Sequence, residues 1–186
     1  MDWQTLESEC AHCRKCALCH TRQNVVFGVG NRNAEIMFVG EGPGEQEDIQ
    51  GEPFVGAAGK LLDNMLSIID LDRTNCYIAN IVKCRPPQNR DPHDEEQAAC
   101  IDYLRAQIEL VQPQIIVCLG RVAAKQLLNP DYRITRDHGN WVTKNGIWVT
   151  AMYHPSALLR DPHKRPEAFD DLMRIRKKIK ECCISL

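Results

Sequence analysis

The stretch from Glu35 to Gly44 reads Glu-Ile-Met-Phe-Val-Gly-Glu-Gly-Pro-Gly, a short apolar run that passes directly into a glycine-rich loop. A second stretch has the same form, because the apolar residues from Trp148 to Tyr153 run into His154, Pro155 and Ser156. In open parallel sheets, ligands bind in the crevice at the carboxyl ends of the strands. The two stretches therefore predict one active site, formed where two strands of a sheet end.

Around these stretches, apolar segments of strand length alternate with segments of helical periodicity. Strands are predicted at residues 35–39, 76–82, 115–119 and 147–152, with a hairpin partner at 141–143, and helices at 59–69, 95–111, 122–128 and 169–179. Such alternation favours parallel pairing through right-handed crossovers. The sequence predicts an α/β fold, a three-layer α/β/α sandwich with a central, mostly parallel four-stranded sheet, and a single domain over residues 1–186.

The composition argues against several classes of protein. The formal net charge is −2, so any contact with nucleic acid must be local rather than a whole-surface attraction. No apolar run could span a bilayer and no signal peptide is recognisable, so we expect an intracellular, cytoplasmic protein. In a reducing compartment the ten cysteines favour metal or cluster ligation over disulfides.

Two local clusters of basic side chains flank the predicted site. They comprise Lys83, Arg85 and Arg90 in one segment, and Arg160, Lys164 and Arg165 in another. Because Lys and Arg attract phosphate, both clusters are candidates for contact with DNA. A third basic run, at residues 174–180, fits the solvent-exposed face of the closing helix.

Four short motifs occur in a distinctive order along the chain. They are Gly40-Glu41-Gly42-Pro43-Gly44 with Glu47-Asp48, the segment Gly51 to Gly56, Asn80 before Lys83-Cys84-Arg85-Pro86-Pro87, and His154-Pro155-Ser156. In this order and spacing they resemble the family 4, iron–sulfur uracil-DNA glycosylases, over nearly the whole chain. The resemblance implies a base excision repair enzyme that flips uracil out of DNA, hydrolyses its N-glycosidic bond and leaves an abasic site.

The cysteines bear on this resemblance separately. Cys13 and Cys16 form a Cys-x-x-Cys pair, and Cys84 and Cys100 lie farther along the chain. Spacing alone would allow a four-thiolate zinc site as well as an iron–sulfur cluster. The resemblance implies that these four cysteines hold a [4Fe–4S] cluster, for which we expect a structural role that pins the N-terminal segment to the sheet.

Two further cysteines, Cys10 and Cys19, extend the pair to a Cys-x-x-Cys ladder of four. The ladder partly imitates the bacterial ferredoxin run, but its last interval is shorter and no proline follows it. A cluster held wholly by residues 10, 13, 16 and 19 is therefore an alternative.

Cleavage of a glycosidic bond makes two chemical demands. The anomeric carbon becomes oxocarbenium-like and needs negative charge and water nearby, whereas the departing base becomes an anion and needs hydrogen-bond donors. Glu41 supplies a carboxylate, and Asn89 is a second candidate to position the water. The resemblance implies that His154 donates a hydrogen bond to a uracil carbonyl oxygen. The alternative is that His154 is a surface or capping histidine.

The resemblance also implies how uracil is recognised. Asn80 would pair with N3 and O4 of uracil, a pattern that cytosine reverses, and Phe54 would stack on the flipped ring. The alternatives are that Asn80 only terminates a strand and that Phe54 belongs to the core. Backbone amides near Gly40 and Gly42 complete the pocket, and we expect the missing side chain of Gly42 to leave space for the substrate. Glu47 is the candidate for crowding the methyl group of thymine.

A base inside a duplex must leave the stack to reach such a pocket. Leu158 matches the apolar wedge that enters the vacated gap, and Arg160 would meet phosphate. We expect Leu159 in the core instead. The expected partner is uracil-containing DNA, single- or double-stranded, and the protein is expected to be a monomer. A replication or repair protein is compatible as a further partner.

Two other classes of protein are open. One is a catalytically silent iron–sulfur module attached to replication machinery, which the intact Glu41, Asn80 and His154 disfavour. The other is a zinc-stabilised α/β hydrolase whose glycine-rich loop cradles a phosphate. The acidity of that loop, and its lack of a Lys-Ser or Lys-Thr ending, disfavour this second class.

Overall fold

The fold is built on a six-stranded sheet, in a computed structural model that describes residues 1–186. In chain order the elements are α1 (Trp3–Ala11), β1 (Val29–Gly30), β2 (Ile36–Gly40), α2 (Glu45–Gln50), α3 (Ala57–Ile68), β3 (Tyr77–Asn80), α4 (Asp94–Val111), β4 (Ile115–Leu119), α5 (Arg121–Leu127), α6 (Ile134–Asp137), β5 (Val142–Lys144), β6 (Ile147–Met152), α7 (Pro155–Arg160) and α8 (Arg165–Cys182). Short 3-10 helices lie at Ala17–His20, Pro87–Asn89 and Pro162–Lys164. None of the helices is both long and apolar enough to cross a membrane.

The strand order across the sheet is β1-β3-β2-β4-β6-β5. The central strands β3, β2, β4 and β6 are all parallel, as the alternation of strands and helices predicts. The edge strands β1 and β5 are antiparallel to their neighbours, so the sheet is mixed and the prediction of a four-stranded sheet is wrong. The two residues of β1 carry no apolar pattern, and β5 is recognisable from sequence only as one arm of a hairpin.

Helices cover both faces of the sheet. On one face, Met37, Val39 and Cys118 join a core with α1, α4 and α5. On the other, Phe38 and Val117 join a core with α3, α7 and α8. Every residue of β2 and β4 is buried, which is typical of parallel strands covered on both sides. The predicted α/β class is therefore confirmed.

The start of α4 differs in detail from the sequence prediction. The sequence favours Asp91 or Asp94, which lie near Pro92, as the residue that opens this helix. The N-cap is instead His93, and the Glu96 side chain accepts a hydrogen bond from the His93 backbone N–H at 2.8 Å. A hydrogen bond between the side chain of the third helical residue and the N-cap backbone is the feature typical of a capping box. Asp91 is thereby left outside the helix, in the loop that approaches the end of β2.

The carboxyl ends of the four parallel strands meet at one rim of the sheet. Strand β2 ends at Gly40, which lies in register with Asn80 at the end of β3. Gly120 follows β4, and His154 follows β6. Gly120 has φ +90°, and a Cβ atom there would lie 2.9 Å from the Cβ of His154. Glycine is therefore needed at this turn for the His154 loop to approach β4.

Candidate active site

A cleft of about 580 Å³ opens at this rim. Eight of the sequence-predicted site residues line it: Glu41, Gly42, Glu47, Phe54, Asn80, Asn89, His154 and Arg160. Gly40 lies behind the wall of the cleft, between Asn80 and Phe54. The sequence therefore located the cleft through the ends of the strands.

His154 caps a helix with one ring nitrogen and leaves the other free. Its Nδ1 accepts a hydrogen bond from the backbone N–H of Ser156 at 3.0 Å and lies 2.7 Å from the Ser156 hydroxyl oxygen. Because Nδ1 accepts from the backbone, a neutral ring carries its proton on Nε2. Burial, and then the charge of Arg160, lower the pKa of His154 to about 4. At neutral pH the residue is a neutral Nε2–H donor, so the capping interpretation is correct for Nδ1 alone.

Glu41 faces a second carboxyl group in the cleft, that of Asp91. Burial, and then the charge of Asp91, raise the pKa of Glu41 to about 7, against the opposing charges of Arg121 and Arg160. Asp91 is itself paired with Arg121, whose hydrogen bond is the main cause that lowers the pKa of Asp91. Near neutral pH, Asp91 is therefore ionised while Glu41 is partly protonated.

Neither Asp91 nor Arg121 is among the site residues that the sequence predicts. Asp91 precedes a helix, where an aspartate usually acts as an N-cap, so the sequence gives no reason to assign it to the active site. Arg121 carried a usable signal, because it follows Gly120 directly at the end of β4. Side chains at the carboxyl end of a parallel strand belong to the rim where ligands bind.

Asn80 presents a buried side-chain acceptor to the cleft. The residue is 2% exposed, and its Oδ1 accepts no hydrogen bond within the protein. A buried polar atom without a partner costs about 1–3 kcal/mol, so this oxygen is suited to a ligand donor. At Gly40, a Cβ atom would lie 2.5 Å from Asn80 Oδ1 and 2.6 Å from Phe54 Cζ. Any larger residue at position 40 would therefore displace the side chains of Asn80 and Phe54.

Phe54 forms one wall of the cleft. Its ring is stacked near His154, with the centroids 5.5 Å apart and the planes inclined by 29°. Its backbone has φ +54°, in the left-handed region that large L-residues rarely occupy. The aromatic face is thus held beside the imidazole by an unusual backbone conformation.

Gly42 lines the cleft, and its role in leaving space for the substrate stays a prediction. A Cβ atom at this position would lie 2.7 Å from Val82 Cγ2, so glycine also allows this loop to pack against Val82. Glu47 lies in the first turn of α2 and lines the cleft, as expected. Asn89 also lines it, but its Oδ1 accepts a hydrogen bond from Arg85 Nε at 2.7 Å. The amide N–H groups of Asn89 make no hydrogen bond within the protein, and its Oδ1 keeps a second lone pair.

The two leucines of α7 are exchanged relative to the prediction. Leu158 is 1% exposed and belongs to the core beneath the helix, whereas Leu159 is 41% exposed. Leu158 shares the buried face of α7 with Pro155, three residues earlier, so its side chain cannot be a free wedge. Arg160 lines the cleft as expected. Lys83 is 1% exposed, so its assignment to a DNA-facing basic cluster is also wrong.

A second, smaller cleft gathers cysteines from distant parts of the chain. Its lining includes the four predicted ligands Cys13, Cys16, Cys84 and Cys100, together with Cys10 and Cys19. All the cysteines are free thiols. No group of three or more His, Cys, Asp or Glu side chains is arranged to hold a metal ion in this structure. Thiols gathered in one cleft are donors suited to a thiolate-bound zinc ion or to an iron–sulfur cluster.

Hydrogen-bond donors already point at two of these sulfurs. The Lys83 backbone N–H donates to Cys100 Sγ at 3.3 Å, and Arg22 Nη1 donates to Cys84 Sγ at 3.3 Å. Such N–H groups stabilise the negative charge of metal-bound thiolates and tune the centre. The donor set and its surroundings therefore fit a [4Fe–4S] cluster.

Comparisons with known proteins agree with this geometry. The uracil DNA glycosylase superfamily model matches residues 27–175. The type-4 uracil-DNA glycosylase of Archaeoglobus fulgidus is 50% identical over 185 residues, which cover 94% of this chain and 90% of that protein. The enzymes of the same name from Sulfurisphaera tokodaii and Thermotoga maritima are each 45% identical, over 94% and 91% of this chain and 83% and 90% of their own lengths. The chain therefore belongs to the uracil DNA glycosylase superfamily, and within it to the type-4 uracil-DNA glycosylases.

Proposed function

We propose that this chain is a DNA repair enzyme that flips uracil out of DNA and hydrolyses its N-glycosidic bond, releasing uracil and leaving an abasic site. The observation that carries this proposal is the buried, unpartnered Oδ1 of Asn80 in the same cleft as a neutral His154. Family membership supplies the reaction class, and the side chains supply a separate role for each chemical demand.

Leaving-group stabilisation falls to His154. As the bond between uracil and deoxyribose breaks, negative charge builds on the base, and the neutral Nε2–H donates to the carbonyl oxygen where it accumulates. A neutral donor suits this task, because an imidazolium would have to be formed against burial and the Arg160 charge. Removing a donor of this kind commonly slows catalysis by about 10²–10³-fold.

Glu41 and Asn89 have different roles toward the attacking water. Ionised Glu41 accepts a proton from the attacking water and places negative charge near the developing oxocarbenium ion. Asn89 cannot accept a proton in the same way, since a neutral amide is not a base, and its Oδ1 is already bonded to Arg85. Its free N–H groups donate to the water oxygen and hold it in position. This division assigns the base to Glu41 and a positioning role to Asn89.

Base recognition depends on Asn80. Its free Oδ1 accepts from uracil N3–H while Nδ2 donates to O4, whereas cytosine has an acceptor at N3 and a donor at C4. Phe54 stacks on the ring without distinguishing bases. Backbone amides near Gly40 and Gly42 contact the remaining edge, and Glu47 crowds the position of the thymine methyl.

DNA contact centres on the exposed side of α7. Leu159, rather than Leu158, fills the gap that the extruded base leaves in the stack, because it is the exposed leucine of this helix. Arg160 and Lys164 line the cleft and meet phosphate. The substrate is uracil-containing DNA, and the protein acts as a monomer composed of a single domain over residues 1–186.

The cysteine cleft holds a [4Fe–4S] cluster through Cys13, Cys16, Cys84 and Cys100. When bound, the cluster cross-links the N-terminal segment to the main domain and contributes stability linked to metal binding. Cys10 and Cys19 line the same cleft without being assigned as ligands.

Excision from a labelled oligonucleotide with one uracil tests the proposal, using anaerobically purified protein whose iron content is measured in the same preparation. Asn80→Asp should lower uracil release and allow weak, measurable cytosine release, because the carboxyl group can present the reversed hydrogen-bonding pattern. Asn64→Asp is the control, since Asn64 lies exposed on α3. Iron-loaded protein that releases no uracil from either single or double strands would favour the silent iron–sulfur module instead.

A further inference from the structure

Arg73, which is distant from Phe54 in sequence, donates hydrogen bonds to the carbonyl groups before and after the Phe54 side chain. Its Nη1 donates to the Pro53 carbonyl oxygen at 2.7 Å, and its Nη2 donates to the carbonyl oxygen of Phe54 itself. The geometry points to Arg73 as a positioning residue that holds the Phe54 ring in the orientation needed to stack on the flipped uracil. The inference rests on the proposed function and names a residue that acts on the pocket without touching the base.

The segment needs such a restraint because its conformation is locally unfavourable. Phe54 has φ +54°, a region that bulky side chains occupy only where the surrounding structure enforces it. Its side chain is nonetheless placed in the cleft beside His154. Strained backbone conformations of this kind cluster at functional sites.

The arginine is itself held in place by acidic side chains. Its Nε donates to Asp63 on α3 at 2.9 Å, and its Nη1 lies 3.4 Å from a Glu52 carboxylate oxygen. The Arg73 side chain is 21% exposed, so the guanidinium is largely withdrawn from solvent. A planar guanidinium can serve several fixed acceptors at once, which a lysine ammonium on a flexible stem cannot do equally well.

Close packing at two glycines also restricts the position of Phe54. At Gly59 a Cβ atom would lie 1.9 Å from the Phe54 carbonyl oxygen, so α3 packs directly on this peptide group. At Gly40 a Cβ atom would lie 2.6 Å from the far edge of the ring. Arg73 is the only charged group that binds the Phe54 backbone, and its loss should let φ relax and the ring turn away from His154.

The test is a double-mutant cycle measured by steady-state uracil excision. Arg73→Met should raise KM for uracil-containing DNA by about tenfold, the scale of a weakened base–aromatic stack, while kcat falls by less than about threefold. Inhibition by free uracil should weaken in parallel. In a Phe54→Ala background the same change should alter kcat/KM by less than about twofold, because there is no ring left to position. Arg105→Met, which removes an exposed Arg–Asp pair on α4, is the matched control.

A purely structural role for Arg73 makes a different prediction. It would lower kcat/KM equally in both backgrounds, and that result would overturn the inference. Should Arg73→Met fail to fold, Asp63→Asn loosens the arginine while leaving its two carbonyl bonds possible. This variant should lower kcat/KM by about threefold, and only when Phe54 is present. A folded Asp63→Asn protein with unchanged kinetics would also contradict the inference. Wild-type protein that releases no uracil would instead refute the proposed function.

Discussion

Replacing Asp91 with asparagine should extend the activity of this enzyme toward lower pH. Glu41 acts as a base only when ionised, and burial together with the Asp91 charge raises its pKa to about 7. Activity should therefore rise with pH through about 7 in the wild type. Asp91→Asn removes the repelling charge and frees Arg121 to interact with Glu41, and both changes favour the ionised form.

The magnitude follows from the ionised fraction. At pH 6 a group with a pKa of about 7 is about one-tenth ionised, so wild-type kcat/KM should be about one-tenth of its plateau. Lowering the pKa of Glu41 can recover at most that factor of about ten. Arg121→Met should move the rise in the opposite direction, because Arg121 lowers the pKa of Glu41.

The assay is single-turnover uracil release across the range from about pH 5 to about pH 9, each variant being normalised to its own plateau. Asp102→Asn serves as the control, because Asp102 is also paired with an arginine but lies on the exposed face of α4. Glu41→Gln should lose the rise altogether. His154 should not contribute a step near pH 6.5, since its pKa is lowered to about 4. A rise that stays near pH 7 in Asp91→Asn would refute the carboxyl-pair argument.

Three further experiments separate the roles assigned in the two clefts. His154→Ala should lower cleavage by about 10²–10³-fold while the dissociation constant for intact uracil DNA changes far less, as measured by single-turnover kinetics and binding titration. Leu159→Ala should reduce excision from duplex more than from single strands with an unchanged melting temperature, whereas Leu158→Ala should destabilise the fold by about 2–5 kcal/mol, measured by denaturant unfolding. Cys84→Ala should lose bound iron by elemental analysis, whereas Cys118→Ala, in the buried strand β4, should retain it.

The sequence was sufficient for features that depend on local order along the chain. A buried strand followed by a polar loop places Glu41 and His154 at the same rim, because parallel strands end together. The asparagine at the end of β3 follows from the same argument. These residues are recognisable because each lies directly beside the strand that positions it.

Contacts between separate loops could not be obtained in this way. The partner of Glu41 is Asp91, which is 50 positions away and becomes available only because His93 rather than Asp91 caps α4. The contact between Arg73 and Phe54 likewise joins segments that α3 separates in sequence, and no local pattern indicates it. The prediction for the two leucines of α7 was wrong for a different reason. Two adjacent apolar residues on a six-residue helix give no periodicity that would identify the buried one.

The free protein keeps several unfavourable features in one cleft. Asn80 Oδ1 has no partner, Phe54 occupies a strained backbone region, and Glu41 is held where its ionised form is destabilised. A raised carboxyl pKa means that the folded state loses stability as pH rises from the ordinary value of 4.5 through about 7, so the catalytic form of Glu41 is the one the fold tolerates less. Under the proposed function, a flipped uracil supplies a donor to Asn80 and a stacking face to Phe54, and the positive charge that develops on the sugar during cleavage favours ionised Glu41. On the same proposal, the extruded base gives Asn80 Oδ1 the donor it lacks in the free protein, which favours binding of an unstacked uracil over binding of ordinary duplex DNA.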